Sequence, residues 1–283
     1  MRLNPLLFKN IYTTGLTGFV GKNLLPLLLE SYDQIINFQR DDSVTIYTSH
    51  SEVTHKLSKA LTSENPADDM VHLATLYDPN PSSLADLESL IKSNVYFIIN
   101  ILENYVSQEK LTISNICSYT QLLNKSAQNS YSLSKEIVNS YLKSNNFKIK
   151  NIYLFDTFGK GDTRNKVTDI FIMQALKKEK IVISHNDIEI NLSCVDDVAE
   201  SINNSLKLKP GNYSIFSPNT IKLNELALMI GRLIKSEVKI ERKGLGINHD
   251  PSSINLPLNI FNKKKHLLIE DQLLERINEL KRT

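Results

Sequence analysis

The chain has 283 residues, and its 33 basic and 31 acidic side chains leave a formal net charge of +2. Hydrophobic residues at 41% and charged residues at 23% exclude a disordered or fibrous chain, and charges dispersed along the sequence leave no basic stripe for a nucleic-acid backbone. Two cysteines, Cys117 and Cys194, without the spacing of a zinc site or disulfide framework fit a reducing compartment. The N-terminus lacks the long apolar run of a signal peptide, and no apolar stretch has the length to cross a bilayer, so the expectation is a cytoplasmic protein without membrane insertion.

In chain order, apolar periodicity predicts a strand near Ile11, a helix from about Gly18 to Ser31 and a strand over Ile35 to Gln39, which is a βαβ opening. Strands follow at Met70 to Leu73, Leu111 to Cys117 and Ile149 to Phe155, separated by helices near Leu84 to Val106 and Tyr131 to Leu142. Beyond Phe155 come a glycine-containing loop, a helix around Val167 to Lys178, short strands, and helices near Asp196 to Leu206, Leu223 to Ile234 and Asp271 to Lys281. This alternation predicts the α/β class: a Rossmann-type, doubly wound parallel sheet with a smaller C-terminal lobe. The expected division places a dinucleotide-binding domain with the Tyr131 helix at 1–165. Residues 166–283 then form mainly a substrate-binding lobe, interleaved with the end of the sheet.

T-G-L-T-G-F-V-G follows the first strand and sets Gly15, Gly18 and Gly21 at a strand-to-helix turn, with Thr17, Phe19 and Val20 among them. A pyrophosphate needs bare backbone there to reach the helix N-terminus and its unpaired N–H groups. At the end of the second strand an acidic residue accepts the ribose 2′-hydroxyl of NAD, whereas an arginine accommodates the 2′-phosphate of NADP. Here Gln39 precedes Arg40, which favours NADP; Asp41 and Asp42 just beyond keep NAD open.

The helix that begins near Tyr131 reads Y-S-L-S-K, so Tyr131 and Lys135 share one face. A neighbouring ammonium favours the phenolate and makes a tyrosine, ordinarily titrating near ~10, a usable acid or base at neutral pH. Ser118 and Thr120 close the preceding strand, where a hydroxyl can polarise a reacting carbonyl. The six histidines, His72, His185, His249 and His266 among them, form no ligand spacing, so no metal is expected. The run Lys263, Lys264, Lys265 reads as a solvated turn.

Together these motifs resemble the extended short-chain dehydrogenase/reductase family of nucleotide-sugar epimerases, dehydratases and reductases. The likeness continues through H-L-A-T at His72, S-N-V with Asn94, L-F-D-T-F-G-K-G-D around Phe155, L-S-C-V-D-D-V-A near Asp196 and the G-N-Y-S-I-F segment, in the family's order. The resemblance implies that Ser118 is the catalytic serine, with Thr120 in reserve. It also implies that Leu73, Ala74, Thr75, Asn94 and Lys135 line the cofactor and that Phe155 lies near the nicotinamide. Thr120, Asp156 and Asn191 are its candidate substrate contacts, although Asp156 stands where many members carry Asn. The diphosphate-gripping arginine of the family is not evident, since Ile190 and Asn191 occupy that stretch.

Tyr119, Thr120 and Gln121 supply no carboxylic acid beside the serine, which argues against dehydration. The resemblance is nearest to the 4-ketoreductases of deoxysugar and O-antigen pathways, which use NADPH on a nucleotide-linked 4-keto-deoxyhexose. A 4-epimerase of the same family is the alternative, and an NADP-sensing regulator without catalysis is the alternative of another class. Pairing of the Leu84 to Val106 and Tyr131 helices across a homodimer is a further family expectation.

Overall fold

The computed structural model describes residues 9–107, 109–123, 129–244, 254–262 and 268–282. His249 and the run from Lys263 to His266 lie outside the described residues. Among the described residues, no helix is long and apolar enough to cross a membrane. The chain forms two compact units. One takes in the stretch up to Gln121, residues 129 to Tyr153 and Ile202–Tyr213; the other takes in Leu154–Ser201 and the stretch from Ser214 onward. The contacts divide the chain at 153/154, with a return excursion at 202–213; the sequence suggested a boundary at 165/166 with the C-terminal lobe interleaved with the end of the sheet.

The first unit opens with β1 (Asn10–Thr14), α1 (Phe19–Leu29), β2 (Gln34–Phe38), β3 (Ser43–Tyr47), β4 (Glu52–Lys56), α2 (Lys59–Glu64) and β5 (Asp69–His72). A long helical stretch follows: α3 (Leu84–Ile91), a π-helix (Lys92–Tyr96) and α4 (Phe97–Asn104). Next come β6 (Thr112–Ser118), a 3₁₀ turn (Tyr119–Leu122), α5 (Ser130–Ser144) and β7 (Lys148–Leu154). β1 pairs in parallel with β2 and β5, and β5 with β6. Their central residues are buried on both faces, as strands covered by helices on both sides must be. The central order β7-β6-β5-β1-β2 reverses direction at β1, and the space beyond the C-terminal ends of β1 and β5 is the switch point where such sheets bind ligands.

One departure from the sequence reading lies at the sheet edge. No crossover helix follows β2: β3 pairs with it antiparallel and β4 pairs antiparallel with β3. The turn at Asp42 (φ 56°) allows this reversal. Every residue of β4 is exposed, and its charged Glu52 and Lys56 discourage further edge pairing. Below the sheet, Met70, Ile113, Ile98, Ile101, Leu102, Val138 and Leu142 make a continuous apolar core.

The second unit holds β8 (Asp156–Phe158), α6 (Val167–Leu176), β9 (Ile181–Ile183) and β10 (Glu189–Cys194), followed by α7 (Val195–Ser205) and β11 (Gly211–Ile215), each of which crosses the unit boundary. It ends with β12 (Thr220–Lys222), α8 (Leu223–Ile234), β13 (Ile240–Arg242), β14 (Leu258–Asn259) and α9 (Ile269–Leu280). β10 pairs parallel with β8 and antiparallel with β12. Helices α6, α8 and α9 pack their apolar faces together through Phe171, Ile172, Leu226, Ile230, Leu273 and Ile277.

Candidate active site

The phosphate turn is built by close approach. Gly15 has φ 77°, and a Cβ there would lie 2.5 Å from the Ala74 backbone nitrogen, so only glycine lets the first turn nest against the loop after β5. A Cβ on Gly21 would overlap the Gly15 carbonyl and the Leu16 backbone. Gly18 is different: it caps α1 without a side chain, its N–H donates to Gly15 O at 3.0 Å, and with Thr17 it is exposed. Gly15 and Gly21 therefore shape the turn, while Gly18 leaves its outer surface open beside the first N–H groups of α1 at Phe19, Val20 and Gly21. That cradle fits a dinucleotide pyrophosphate.

A hydrogen-bond chain ties this turn to β5. The Ala74 N–H donates to Thr14 Oγ1 at 3.1 Å, and Thr14 Oγ1 lies 2.8 Å from His72 Nδ1. Burial first, then the charges of Lys135 and Arg40, hold the His72 pKa well below its ordinary value. A neutral ring accepting the Thr14 hydroxyl proton satisfies both groups. His72 is thus a fastener for the Leu73–Thr75 loop, at the sheet end where the sequence put it.

Asn94, in the π-helix, spans the next gap. Its Oδ1 accepts the Leu76 N–H at 2.6 Å and the Thr75 hydroxyl at 3.3 Å, while its Nδ2 donates to Leu76 O and to Ser134 Oγ, both at 3.0 Å. Asn94 so joins the loop after β5 to α5. A capping box opens α5 one residue before Tyr131: Asn129 Oδ1 accepts the Ser132 N–H and the Asn129 N–H donates to Ser132 Oγ, each at 2.9 Å. Tyr131 is buried, and its ring meets Tyr77 edge-on at 4.9 Å. Lys135, one turn on, is 6% exposed; its Nζ donates to Ile116 O at 2.7 Å, and burial lowers its pKa to about 8 against the smaller raising effect of Cys117.

At the end of β6, Ser118 Oγ lies 2.8 Å from Thr120 Oγ1 and accepts the Thr120 N–H at 3.3 Å. The two candidate hydroxyls form one linked pair. Cys117, next to Ser118, is buried, and burial pushes its thiol up to about 12, which leaves it little of the thiolate a nucleophile needs. Arg40 lies exposed in the β2–β3 turn, and Gln39 is drawn away by a hydrogen bond to Thr45 Oγ1.

In the second unit Phe155 is buried, edge-on to Phe216 at 5.0 Å. Burial raises the Asp156 pKa to about 6, opposed by the charges of Lys166 and Arg164; Lys166 is itself lowered to about 8, by burial first. The sequence reading did not single out Arg164 or Lys166, because a basic residue in a loop looks like any solvated charge. Asn191 is fully buried, and its carboxamide is committed to structure: Nδ2 donates to Ser217 O at 2.6 Å and Thr220 Oγ1 at 3.2 Å, while Oδ1 accepts the Ser217 N–H at 3.0 Å. Among the described residues no group of His, Cys, Asp and Glu is arranged to hold a metal.

The family model described as "NAD dependent epimerase/dehydratase family" matches residues 11–209. Over 257 residues the chain is 28% identical to CDP-abequose synthase of Yersinia pseudotuberculosis, covering 81% of this chain and 90% of that protein. Its fold is similar to WbmF of Bordetella bronchiseptica in complex with NAD+ and UDP, with TM-score 0.72, 19% identity and coverage of 98% and 93% of the two chains. It is also similar to RMD from Pseudomonas aeruginosa complexed with NADPH, with TM-score 0.68, 16% identity and coverage of 97% and 100%.

Proposed function

Because the chain belongs to the NAD dependent epimerase/dehydratase family and is an enzyme of that family, we propose that it uses NADPH to reduce the C4 ketone of a nucleotide-linked 4-keto-deoxyhexose. The observation that carries this reading is the buried Tyr131–Lys135 pair, linked through Ser134, Asn94 and the Leu73–Leu76 loop to the glycine turn. The likeness to CDP-abequose synthase supports a CDP-sugar of the deoxysugar and O-antigen type.

Gly15, Thr17, Gly18, Phe19, Val20 and Gly21 would hold the pyrophosphate, Arg40 the 2′-phosphate, and Leu73, Ala74, Thr75 and Phe155 the remainder of the cofactor. Asn94 acts by holding Thr75 and Leu76 in place. Reduced nicotinamide, when bound, supplies the hydride that C4 accepts. Ser118, with Thr120 behind it, donates a hydrogen bond to the C4 oxygen and polarises the carbonyl. Tyr131 gives its phenolic proton to that oxygen as the carbon is reduced, so the ketone gains one hydride and one proton and becomes the alcohol. Lys135 stabilises the phenolate left behind. Asp156 is the proposed hydroxyl-recognising group for the nucleotide sugar; Asn191 holds the Ser217 turn. Exposed Leu84, Leu87, Tyr96, Leu133 and Ile137 on α3, the π-helix and α5 support a homodimer through these helices.

A 4-epimerase retaining NAD is the second reading, favoured by Asp41 and Asp42 immediately after Arg40. The test follows absorbance of NADPH, with NADH in parallel, on adding CDP-, dTDP- and UDP-linked 4-keto-deoxysugars to wild type and Tyr131→Phe. Oxidation of NADPH with one substrate, lost by a factor of about 10²–10⁴ in the variant, is the expected result. No oxidation, despite tight cofactor binding, turns the reading to the epimerase or to a cofactor sensor.

A further inference from the structure

The turn that carries Ser118 and Thr120 has a support outside the groups assigned above. Ser118 ends β6, and its backbone N–H donates to Gln121 Oε1 at 2.9 Å. From the other side of the same carboxamide, Gln121 Nε2 donates to Glu136 Oε2 at 3.1 Å. Glu136 directly follows Lys135 on α5, and its Oε2 also accepts from Asn139 Nδ2 at 3.3 Å. Asn139 Oδ1 in turn accepts from Asn115 Nδ2 at 2.6 Å, back on β6. The hydrogen bonds close a ring: β6 at Asn115, α5 at Asn139 and Glu136, the 3₁₀ turn at Gln121, and β6 again at Ser118.

We infer that Gln121 and Glu136 are a positioning pair that sets the Ser118–Thr120 hydroxyls against the helix carrying Tyr131 and Lys135. The inference rests on the reading of those residues as the reaction groups. Gln121 is 8% exposed, so its carboxamide has little water to fall back on and its partners fix its orientation. Only an amide serves both neighbours at once, because Ser118 presents an N–H that needs an acceptor and Glu136 presents a carboxylate that needs a donor. A leucine there serves neither, and a second carboxylate meets Glu136 with like charge. Glu136 makes the link charge-assisted, which strengthens it over a neutral pair. Misplacing a reacting hydroxyl by about 1 Å costs on the order of 10²-fold in rate, so the geometry of this link reaches turnover without touching substrate.

The test compares Gln121→Leu, Gln121→Glu and the exchanged pair Gln121→Glu with Glu136→Gln. Gln121→Leu should lose about 10- to 100-fold in kcat while NADPH affinity, read by cofactor fluorescence, is kept. Gln121→Glu should be impaired above neutral pH and recover toward acid, as two facing carboxylates come to share a proton. The exchanged pair rebuilds the Ser118–121 and 121–136 hydrogen bonds, gives up the one from Asn139 Nδ2 to position 136, and should restore part of the lost rate and the wild-type pH profile. A residue needed only for folding would not be rescued by exchange. Hydrogen exchange at the Ser118 amide, measured by NMR, should be slow in wild type, fast in Gln121→Leu and slow again in the exchanged pair, whether or not a substrate is turned over. Wild-type kcat and pH profile in Gln121→Leu, an unchanged Ser118 amide, or an exchanged pair that folds but stays as impaired as Gln121→Glu overturns the inference. A wild type that turns over no keto-sugar but shows the amide pattern overturns the reductase reading and leaves the pair in place.

Discussion

Lys135 Nζ donates to the carbonyl of Ile116 at 2.7 Å, two residues before Ser118, so the lysine's head is fixed by the strand that ends in the candidate serine. Burial lowers its pKa from 10.5 to about 8. The unfolded chain then binds the proton more tightly than the folded one, and stability rises with pH between about 8 and 10.5. Below pH 8 the charged lysine costs the fold about 3 kcal/mol. Lys135→Met should therefore lack that rise in a denaturant titration repeated from pH 7 to 10. The wild-type kcat/KM should fall as pH increases through about 8, where the tyrosine loses its cation.

Asp156 has the opposite sign. Burial raises its pKa to about 6, so the folded state holds the proton more tightly and stability declines as pH rises from about 4 through 6. Asp156→Asn removes this penalty and should stabilise the protein at pH 7.5 by about 1–3 kcal/mol, read as a rise in Tm. A lower Tm in the variant would show that Lys166 and Arg164 depend on the carboxylate more than burial opposes it.

The proposed use of NADPH makes Arg40 the group on which cofactor preference would depend. Arg40→Ser removes a charged hydrogen-bond donor worth about 1.5–3 kcal/mol, so KM for NADPH should rise about 10- to 100-fold while KM for NADH changes little. Steady-state kinetics with both cofactors decide it. An unchanged ratio would move cofactor recognition elsewhere in the turn.

Arg276 fastens the C-terminal helix. It is 3% exposed, donates Nε and Nη2 to Asp169 at 2.9 and 2.7 Å, and reaches Asp162 O at 2.5 Å and Glu279 at 2.5 Å. Arg276→Met leaves the Asp169 carboxylate buried without its partner and should destabilise the protein by about 3–5 kcal/mol, measured by urea unfolding. A loss under about 1 kcal/mol would mean that water replaces the guanidinium.

The parallel strands and the glycine turn were legible in the sequence because their burial writes a period into the residues and their backbone demands glycine. β3 and β4 were missed: β4 is exposed throughout, so no buried face marks it, and a crossover helix was the expected successor of β2. Tyr131, Lys135 and Ser118 stood out through motif spacing, but nothing local announced Lys135 meeting Ile116, nineteen residues away, or Asn94 meeting Ser134. Gln121 was noticed only as a residue that is not an acid, since a buried carboxamide and a solvated one look alike in sequence. Asn191 shows the converse: its motif position suggested a ligand contact, while its side chain is committed to the Ser217 backbone.

The π-helix at Lys92–Tyr96, closed by the Phe97 N–H donating to Lys92 O, amounts to one residue more than an α-helical turn would hold. Leu90 before it and Ile98, Ile101 and Leu102 after it all face the core. Leu90 and Ile98 are eight positions apart, which a regular α-helix would turn about 80° away from each other; the extra residue of the bulge keeps both on one face. An insertion or deletion in α3 or α4 would turn one apolar face against the other by about 100°, whereas a deletion inside the bulge would leave the faces aligned and cost the placement of Asn94. The bulge therefore absorbs a residue that the rest of the helix could not.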